Sequence, residues 1–181
     1  VHAKLFNVKE LGEWQHKLRA NKFQIPTPVF EATRLPLIKV SWEARYLALK
    51  TGIRGALAKL TGKHWVTAGA ALQGRMLQAA VKAEVELRLD APVNEVIMED
   101  GKVVGVLTGK DGKPWRVGAR NGVLLNAGGF ARNQEMRDKY IPHTKSEWSH
   151  TAPGDTGDMH REMMRIGAEM GQMEEMVGNQ M

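Results

Sequence analysis

The chain has 181 residues, of which 43% are apolar and 25% are charged, as expected of one globular domain or one domain with an appendage. Cysteine is absent, which excludes disulfides, zinc–thiolate sites and cysteine nucleophiles. No run of residues approaches the roughly 20 apolar residues of a membrane span. The N-terminal residues lack the apolar core of a signal peptide. These features predict a cytoplasmic protein without a membrane span.

The net charge of +6 is unevenly distributed along the chain. Residues 1–66 contain 12 Lys/Arg and 4 Asp/Glu, whereas residues 67–181 contain 14 and 16. A basic region of this kind suits nucleic acid or another anionic surface. A solvated basic surface, or one that meets an acidic partner segment, gives the same composition. Because the positive charges are scattered among Leu, Ala and Trp, the sequence does not favour nucleic-acid binding.

Helical patterns dominate the first 66 residues. Apolar residues at spacings of three and four predict a helix over Val8–Asn21. The two prolines of Ile25–Pro28 interrupt the helical pattern. Trp42–Lys50 and Gly55–Leu60 are again typical of helices. We therefore expect no sheet of three or more strands in residues 1–66.

A helix and several strands are predicted next. Ala70–Ala83 is rich in Ala and Leu and predicts a helix, and Val85–Leu89 predicts a short strand. The Asp100-Gly101 pair between two β-rich runs predicts a hairpin, because both turn positions need positive φ. We expect at least four strands within residues 85–127. The runs near the turns are Val93–Met98, Val103–Leu107 and Trp115–Val117.

A glycine pair follows the next apolar run. Gly122–Phe130 predicts a buried strand that ends at Gly128-Gly129. Open α/β sheets bind ligands beyond the carboxyl ends of such strands, and paired glycines let a phosphate or a ring approach the backbone. A tight turn without a ligand explains the same residues, and the spacing does not decide between the two.

A turn-rich loop precedes the last predicted helix. Ala152–Met159 leads into a helix over His160–Gly171, with Asp158 as its N-cap. A loop with free N–H groups and a carboxylate suits the polar edges of a cofactor, such as ribityl hydroxyls. An ordinary helix cap is the alternative. The apolar stripe of the helix, which we expect to be core, consists of Met159, Met163, Ile166 and Met170.

The sequence shows no complete catalytic motif. The six histidines lack the HxH and HExxH spacings, so no metal site is predicted. The sequence also lacks a Walker phosphate loop, a GxSxG elbow and a GxGxxG turn. A chain that holds a dinucleotide by itself normally carries the GxGxxG turn.

Taken in order, five segments resemble the flavoprotein family of fumarate reductases, succinate dehydrogenases and 3-ketosteroid dehydrogenases. The resemblance covers residues 55–177 and is strongest for the 3-ketosteroid dehydrogenases. The similar segments are the Gly69–Met76 helix, Ala91–Ile97, the Glu99–Val106 hairpin, Asn126–Asn133, which is similar to ATGGF followed by a helix start, and Thr156–Met159, which is similar to TGDG and precedes Ile166–Ala168.

The resemblance implies an α/β fold, α+β within this chain. It consists of the central part of a glutathione-reductase-like FAD domain with a β-hairpin meander, and a helix-rich part of a substrate-covering cap domain. It implies that the backbone of Val93 meets the adenine end of FAD. Ala127, Gly128 and Gly129 would lie against the pyrophosphate or ribose, and Asp158 with Gly157 would contact the flavin side.

The catalytic acids and bases that the resemblance implies are tyrosines. Tyr46 and Tyr140 are the only tyrosines of this sequence, and neither lies in a motif of the family. We therefore assign no catalytic residue. Asn126, Ala127 and Met159 depart from the family pattern, the last in place of the final glycine of TGDG.

The sequence is interpreted as the middle of a larger flavoprotein, because neither the first GxGxxG segment nor the last glycine-rich flavin segment of the family is present. The expected domains are residues 1–66 in the cap, 67–142 in the FAD domain and 143–181 in the cap again. Without the phosphate-cradling turn, the isolated chain is expected to bind FAD weakly or not at all. Its incomplete sheet makes self-association plausible.

Three functions remain open at this point. The first is part of an FAD-dependent oxidoreductase that exchanges hydride with an enone, ketosteroid or fumarate-like small molecule. The second is an interaction module that kept the fold and lost the cofactor. The third is a basic nucleic-acid binder, which salt-sensitive retention on DNA would reveal.

Overall fold

Helices make up most of the first part of the chain. The computed structural model describes residues 4–19 and 25–176. It divides into two compact units, Val1–Leu87 and Arg88–Met181. In order, the first unit contains β1 (Phe6–Asn7), a 3-10 helix (Val8–His16), α1 (Val29–Ala32), a 3-10 helix (Leu35–Lys39), α2 (Trp42–Leu60), β2 (Trp65–Val66) and α3 (Ala68–Lys82).

The helices of this unit have different bounds from those predicted from the sequence. Val8–Asn21 forms a shorter 3-10 helix, kinked at Gly12, where φ is +57°, and residues 20–24 lie outside the described residues. Trp42–Lys50 and Gly55–Leu60 belong to one continuous helix, α2, because the glycine between them is tolerated. Within the described residues of 1–66, the sheet consists of two antiparallel strands, β1 and β2. This agrees with the prediction that residues 1–66 contain no sheet of three or more strands.

A small apolar core holds this first unit together. β1, the first 3-10 helix, β2 and α3 contribute its buried residues. Gly74 allows α3 to approach the Phe6 ring, because a Cβ at Gly74 would lie 2.6 Å from that ring. The buried core residues are Phe6, Val8, Leu11, Val66 and Ala71.

The second unit is built on an antiparallel meander. Its strands pair in the order β3-β4-β5, and the turns at Asp100-Gly101 and Asp111-Gly112 have positive φ at both positions. The predicted hairpin at Asp100-Gly101 is confirmed. In order, the unit contains β3 (Val93–Glu99), β4 (Lys102–Lys110), β5 (Lys113–Gly118), α4 (Gln134–Tyr140), a 3-10 helix (Ser146–Trp148) and α5 (Asp158–Arg165).

Two predicted strands do not form. Val85–Leu89 lies after α3, and the Val85 N–H bonds the carbonyl of Ala80 instead of a strand. Gly122–Phe130 is irregular, and Leu124 in its middle is 92% exposed. The prediction of at least four strands in 85–127 is therefore wrong, since three form. Apolar β-rich runs become strands only where a neighbouring strand takes up their backbone groups.

The boundary between the compact units, Leu87/Arg88, differs from the two boundaries expected after residues 66 and 142. The expected boundaries divide this chain between two domains of a longer protein, whereas the compact units are defined by contacts within this chain. The expected boundaries therefore stay a prediction. No helix in the described part of the chain is both long and apolar enough to cross a membrane.

Candidate cofactor-binding loops

Two loops of the second unit are joined by backbone hydrogen bonds. The first, residues 127–133, contains the glycine pair, and the second, residues 154–158, leads into α5. The Gly157 N–H donates to the carbonyl of Gly129 at 3.1 Å, and the Arg132 N–H donates to the carbonyl of Asp155 at 2.9 Å. The structure therefore brings together the two segments that the sequence marked separately.

Asn133 ties the paired loops to a helix. Its Oδ1 accepts a hydrogen bond from the N–H of Met136 at 3.0 Å, which makes it the N-cap of α4. Its Nδ2 donates to the carbonyl of Thr156 at 2.8 Å. One amide side chain thus begins α4 and holds the second loop at the same time, so the loops have a fixed spacing.

Glycine is needed at two positions of these loops for reasons internal to the protein. Gly128 has φ +78°, and a Cβ there would overlap Oδ1 of Asp155. Gly157 is buried with φ +75°, and a Cβ there would lie 2.5 Å from Sδ of Met136 and 2.7 Å from Cβ of Phe130. Gly157 therefore serves loop packing, and its N–H is already bound to Gly129.

Gly129 differs from both of these glycines. Its φ is not positive, and no atom lies within 4 Å of the position that a Cβ would take. Ala127 and Gly128 beside it are exposed. The first loop consequently has an open side where another molecule can approach the backbone closely.

Asp158 is the first residue of α5 and not its N-cap, so the predicted cap is displaced by one residue. Gly157 occupies the cap position in the left-handed conformation. The carboxylate of Asp158 accepts hydrogen bonds from Thr156 Oγ1 at 2.7 Å and from Arg161 at 2.5 Å. These bonds, that of Thr156 first, lower the pKa of Asp158 below its usual value. The ionised group is exposed and retains further lone pairs for hydroxyl donors.

α5 is anchored to the outer edge of β3. Oε1 of the buried Glu162 accepts from the Val96 N–H at 2.5 Å, and Arg165 donates to the Val96 carbonyl at 3.0 Å. Arg165 also bonds Glu162 at 2.7 and 2.8 Å, and this bond, helped by that of Val96, lowers the pKa of Glu162 against the effect of burial. The two side chains occupy the backbone groups that a further strand would otherwise bond.

The other residues that the sequence analysis considered for the site lie outside the paired loops. Val93 opens β3 opposite Thr108, so its backbone belongs to the sheet. Tyr140 packs on Phe130, with ring centroids 5.8 Å apart, and its hydroxyl contacts Sδ of Met164. Tyr46 lies on α2 in the first unit and is 65% exposed. The predicted helix His160–Gly171 ends at Arg165, which leaves Met170 beyond it.

The bonding roles of three side chains of the second loop and helix were not predicted from the sequence. Asp155 lies against Gly128, and Thr156 and Arg161 bind the carboxylate of Asp158. The spacing of three between Asp158 and Arg161 is the one at which helical residues become neighbours, so it was a usable signal. The contact of Asp155 with Gly128 joins loops 27 positions apart and leaves no local signal.

Among the described residues, no group of three or more His, Asp or Glu is arranged to hold a metal ion.

Comparison with known proteins decides the family. The FAD binding domain family matches residues 2–177 of this chain. The chain belongs to the FAD binding domain family. The mixed α/β fold and the flavoprotein resemblance predicted from the sequence are thereby confirmed, with FAD as the cofactor of the family.

Relatives of this chain include steroid and fumarate enzymes. It is 36% identical to 3-oxosteroid 1-dehydrogenase of Mycolicibacterium smegmatis, over 97% of this chain and 32% of that protein. It is 33% identical to the cytochrome-type fumarate reductase of Shewanella frigidimarina, over 56% of this chain and 19% of that protein. Among solved structures, 3-ketosteroid delta1-dehydrogenase of Sterolibacterium denitrificans superposes with a TM-score of 0.83 at 29% identity, over 94% of this chain and 33% of that one. The chain thus spans about a third of the length of the steroid dehydrogenases that it matches.

Proposed function

We propose that this chain is the central part of an FAD-dependent dehydrogenase or reductase, and that its paired loops hold the cofactor. The observation that carries the proposal is the bond between Gly129 and Gly157. It joins the two predicted cofactor segments while the Gly129 side of the loop stays open. The membership in the FAD binding domain family supports this role.

The polar groups of the loops fit hydroxyls better than phosphates. Two carboxylates border the site, because Asp155 lies against Gly128 and Asp158 begins α5. Carboxylates accept hydrogen bonds from hydroxyl groups and repel the negative oxygens of a phosphate. We therefore propose that Ala127–Gly129 and Asp158 lie beside a ribose or ribityl portion of FAD rather than beside its pyrophosphate.

Within the proposed enzyme this chain binds and orients the cofactor. FAD supplies the hydride acceptor or donor of the reaction when it is bound. The open backbone at Gly129 admits the cofactor, and the Asp158 carboxylate, held by Thr156 and Arg161, orients its hydroxyls. Val93 at the start of β3 is proposed to meet the adenine end. Catalytic acids and bases remain unassigned.

The relatives support a proposal for the substrate class. Two of them are steroid dehydrogenases by name, and a third is a fumarate reductase. We propose a ketosteroid or another enone as the substrate of the intact protein, with fumarate-like acids as the next class. The predicted cytoplasmic location and the weak FAD binding of the isolated chain are part of this proposal.

Gly129→Val in the intact protein tests the site. Apart from the adjoining residues, no protein atom lies within 4 Å of the position of the new Cβ, so the apoprotein should keep its fold, whereas the space proposed for the cofactor is filled. Gly109→Val is the matched control, because Gly109 in β4 is equally open and lies outside the loops. The flavin-to-protein ratio is measured by absorbance near roughly 450 nm.

We expect Gly129→Val to lose flavin and Gly109→Val to retain it, with both apoproteins melting like the wild type. Equal flavin content in the two variants would show that the cofactor does not lie against the paired loops. The alternative, an interaction module with the fold of a flavoprotein, would then replace the enzyme proposal if the wild type also lacked flavin.

A further inference from the structure

Two side chains of α5, Glu162 and Arg165, form a clasp on a single residue of β3. Oε1 of Glu162 accepts from the Val96 N–H at 2.5 Å, and Arg165 donates to the Val96 carbonyl at 3.0 Å. The guanidinium also binds both carboxylate oxygens of Glu162, at 2.7 and 2.8 Å. Because both backbone groups of one strand residue are bonded, α5 cannot slide along β3 without breaking the clasp.

The clasp is internal to the second unit and does not depend on an open surface. Glu162 is 8% exposed within this chain, and any further chain can only cover it more. Arg165 also reaches the neighbouring strand residue Glu95, with 3.4 Å between Nη2 and Oε1. The same strand segment is therefore held by the helix at two successive residues.

Stability alone is a weak reason for a clasp made of charged groups. Replacing a buried ion pair by apolar side chains of similar volume is often neutral or stabilising, although removal of one partner is costly. The best-attested use of buried polar and charged groups is to select one register between packed elements. The bonds of Glu162 and Arg165 to both backbone groups of Val96 suit that use.

The clasp joins the two elements that carry the proposed cofactor contacts. Asp158 lies one helical turn before Glu162, about 6 Å along the axis of α5. Val93 lies three residues before Val96 at the start of β3, roughly 10 Å away along the strand. Both proposed contacts are thus a short distance along the backbone from the clasp.

Hydrogen bonds hold each element between the clasp and its proposed contact. At the start of β3, the buried Thr108 donates from its hydroxyl to the Pro92 carbonyl at 2.7 Å. At the start of α5, the Arg161 N–H donates to the Gly157 carbonyl at 3.0 Å, and its side chain binds Asp158. A shift at the clasp therefore changes the distance between the two contacts.

We propose that Glu162 and Arg165 are positioning residues that set the distance between the adenine contact at Val93 and the hydroxyl contact at Asp158. This inference rests on the proposed function, from which it takes both contacts. The two ends of one molecule bind cooperatively only where the distance between their sites matches the molecule. The clasp thereby raises the affinity for FAD above that for its separate halves, without touching the cofactor.

Titration of the intact apoprotein with FAD, and with its halves FMN and AMP as competitors, tests this proposal. Glu162→Ala should weaken FAD binding about tenfold or more while it changes the affinities for FMN and AMP less than about twofold. Arg165→Lys keeps the charge but loses the planar fork, so it should have a smaller effect in the same direction. All titrations are made well below the melting temperature of every variant.

Two further variants separate positioning from stability. Leu107→Ala is the control, because it shortens a half-buried side chain in β4 and leaves both clasp residues in place. It should lower the melting temperature and keep the affinity for FAD. Glu162→Gln keeps an acceptor for the Val96 N–H, so it should retain more FAD affinity than Glu162→Ala.

Four outcomes would overturn the proposal. They are unchanged FAD affinity in Glu162→Ala and Arg165→Lys, equal weakening of FAD, FMN and AMP, and a loss of FAD affinity in Leu107→Ala as large as that in Glu162→Ala. The fourth is the failure of both halves to compete with FAD for the wild type. Any of these results together with loss of flavin from Gly129→Val would leave the proposed function intact and contradict only the role of the clasp.

Discussion

Replacing Glu162 with alanine removes the carboxylate that holds α5 on the edge of β3. In the folded chain this buried group accepts from the Val96 N–H at 2.5 Å and from Arg165 at 2.7 and 2.8 Å. Truncation leaves the N–H of Val96 without its acceptor and the guanidinium without its closest anion. Losing a buried bond to a charged group costs about 1.5–3 kcal/mol, and a chain of this size then melts roughly 3–12 °C lower.

Thermal unfolding followed by circular dichroism measures this loss. Glu162→Gln keeps an oxygen that can accept from Val96 but removes the charge, so it should melt between the wild type and the alanine variant. Because folding lowers the pKa of Glu162, its contribution is complete above the unfolded pKa and disappears as the pH falls through the folded pKa. The difference between wild type and Glu162→Gln should therefore be constant from neutral pH down to the ordinary pKa of glutamate and shrink only as the pH falls below it.

The control for this prediction is Glu169→Ala, which changes an exposed glutamate just after α5 and should not alter the melting temperature. If Glu162→Ala melts together with Glu169→Ala, the bonds to Val96 do not stabilise the fold. If the difference between wild type and Glu162→Gln is independent of pH, the charge of Glu162 has no part in it.

Two further predictions concern the paired loops. Gly157→Ala should lower the free energy of unfolding by about 1–3 kcal/mol, because φ is +75° and the new Cβ overlaps Met136 and Phe130. An unchanged urea midpoint would contradict this. Asp158→Asn should leave melting of the apoprotein nearly constant and weaken FAD binding by roughly tenfold, since a charge-assisted acceptor is lost. Titration of the intact apoprotein with FAD measures it, and an unchanged affinity would leave Asp158 with a role in the helix start alone.

Local signals predicted the elements that are stabilised locally. The Asp100-Gly101 hairpin was predictable because positive φ at two adjacent positions is a property of the turn itself. The helix predicted over Ala70–Ala83 agrees with the bounds of α3 to within two residues, because its Ala- and Leu-rich composition favours a helix locally. The helix after the second loop was predicted too long. A stripe of methionines continues to Met170, but Gly167 takes φ +84° and ends the helical backbone.

Features that depend on distant partners were not predictable. Gly122–Phe130 has the composition of a buried strand, yet strand formation requires a neighbour that its own residues do not specify. The bond between Gly129 and Gly157 was likewise hidden, although each glycine was identified by its motif. The role of Glu162 depends on Val96, 66 positions earlier, so no spacing in the sequence indicates it.

A crystal structure of the intact protein with FAD bound tests the central claim most directly. The account predicts that cofactor atoms contact the open side of Gly129 and that cofactor hydroxyls lie within hydrogen-bond distance, about 3 Å, of the Asp158 carboxylate. FAD bound elsewhere, with no cofactor atom against Gly129 or the Asp158 carboxylate, would contradict it.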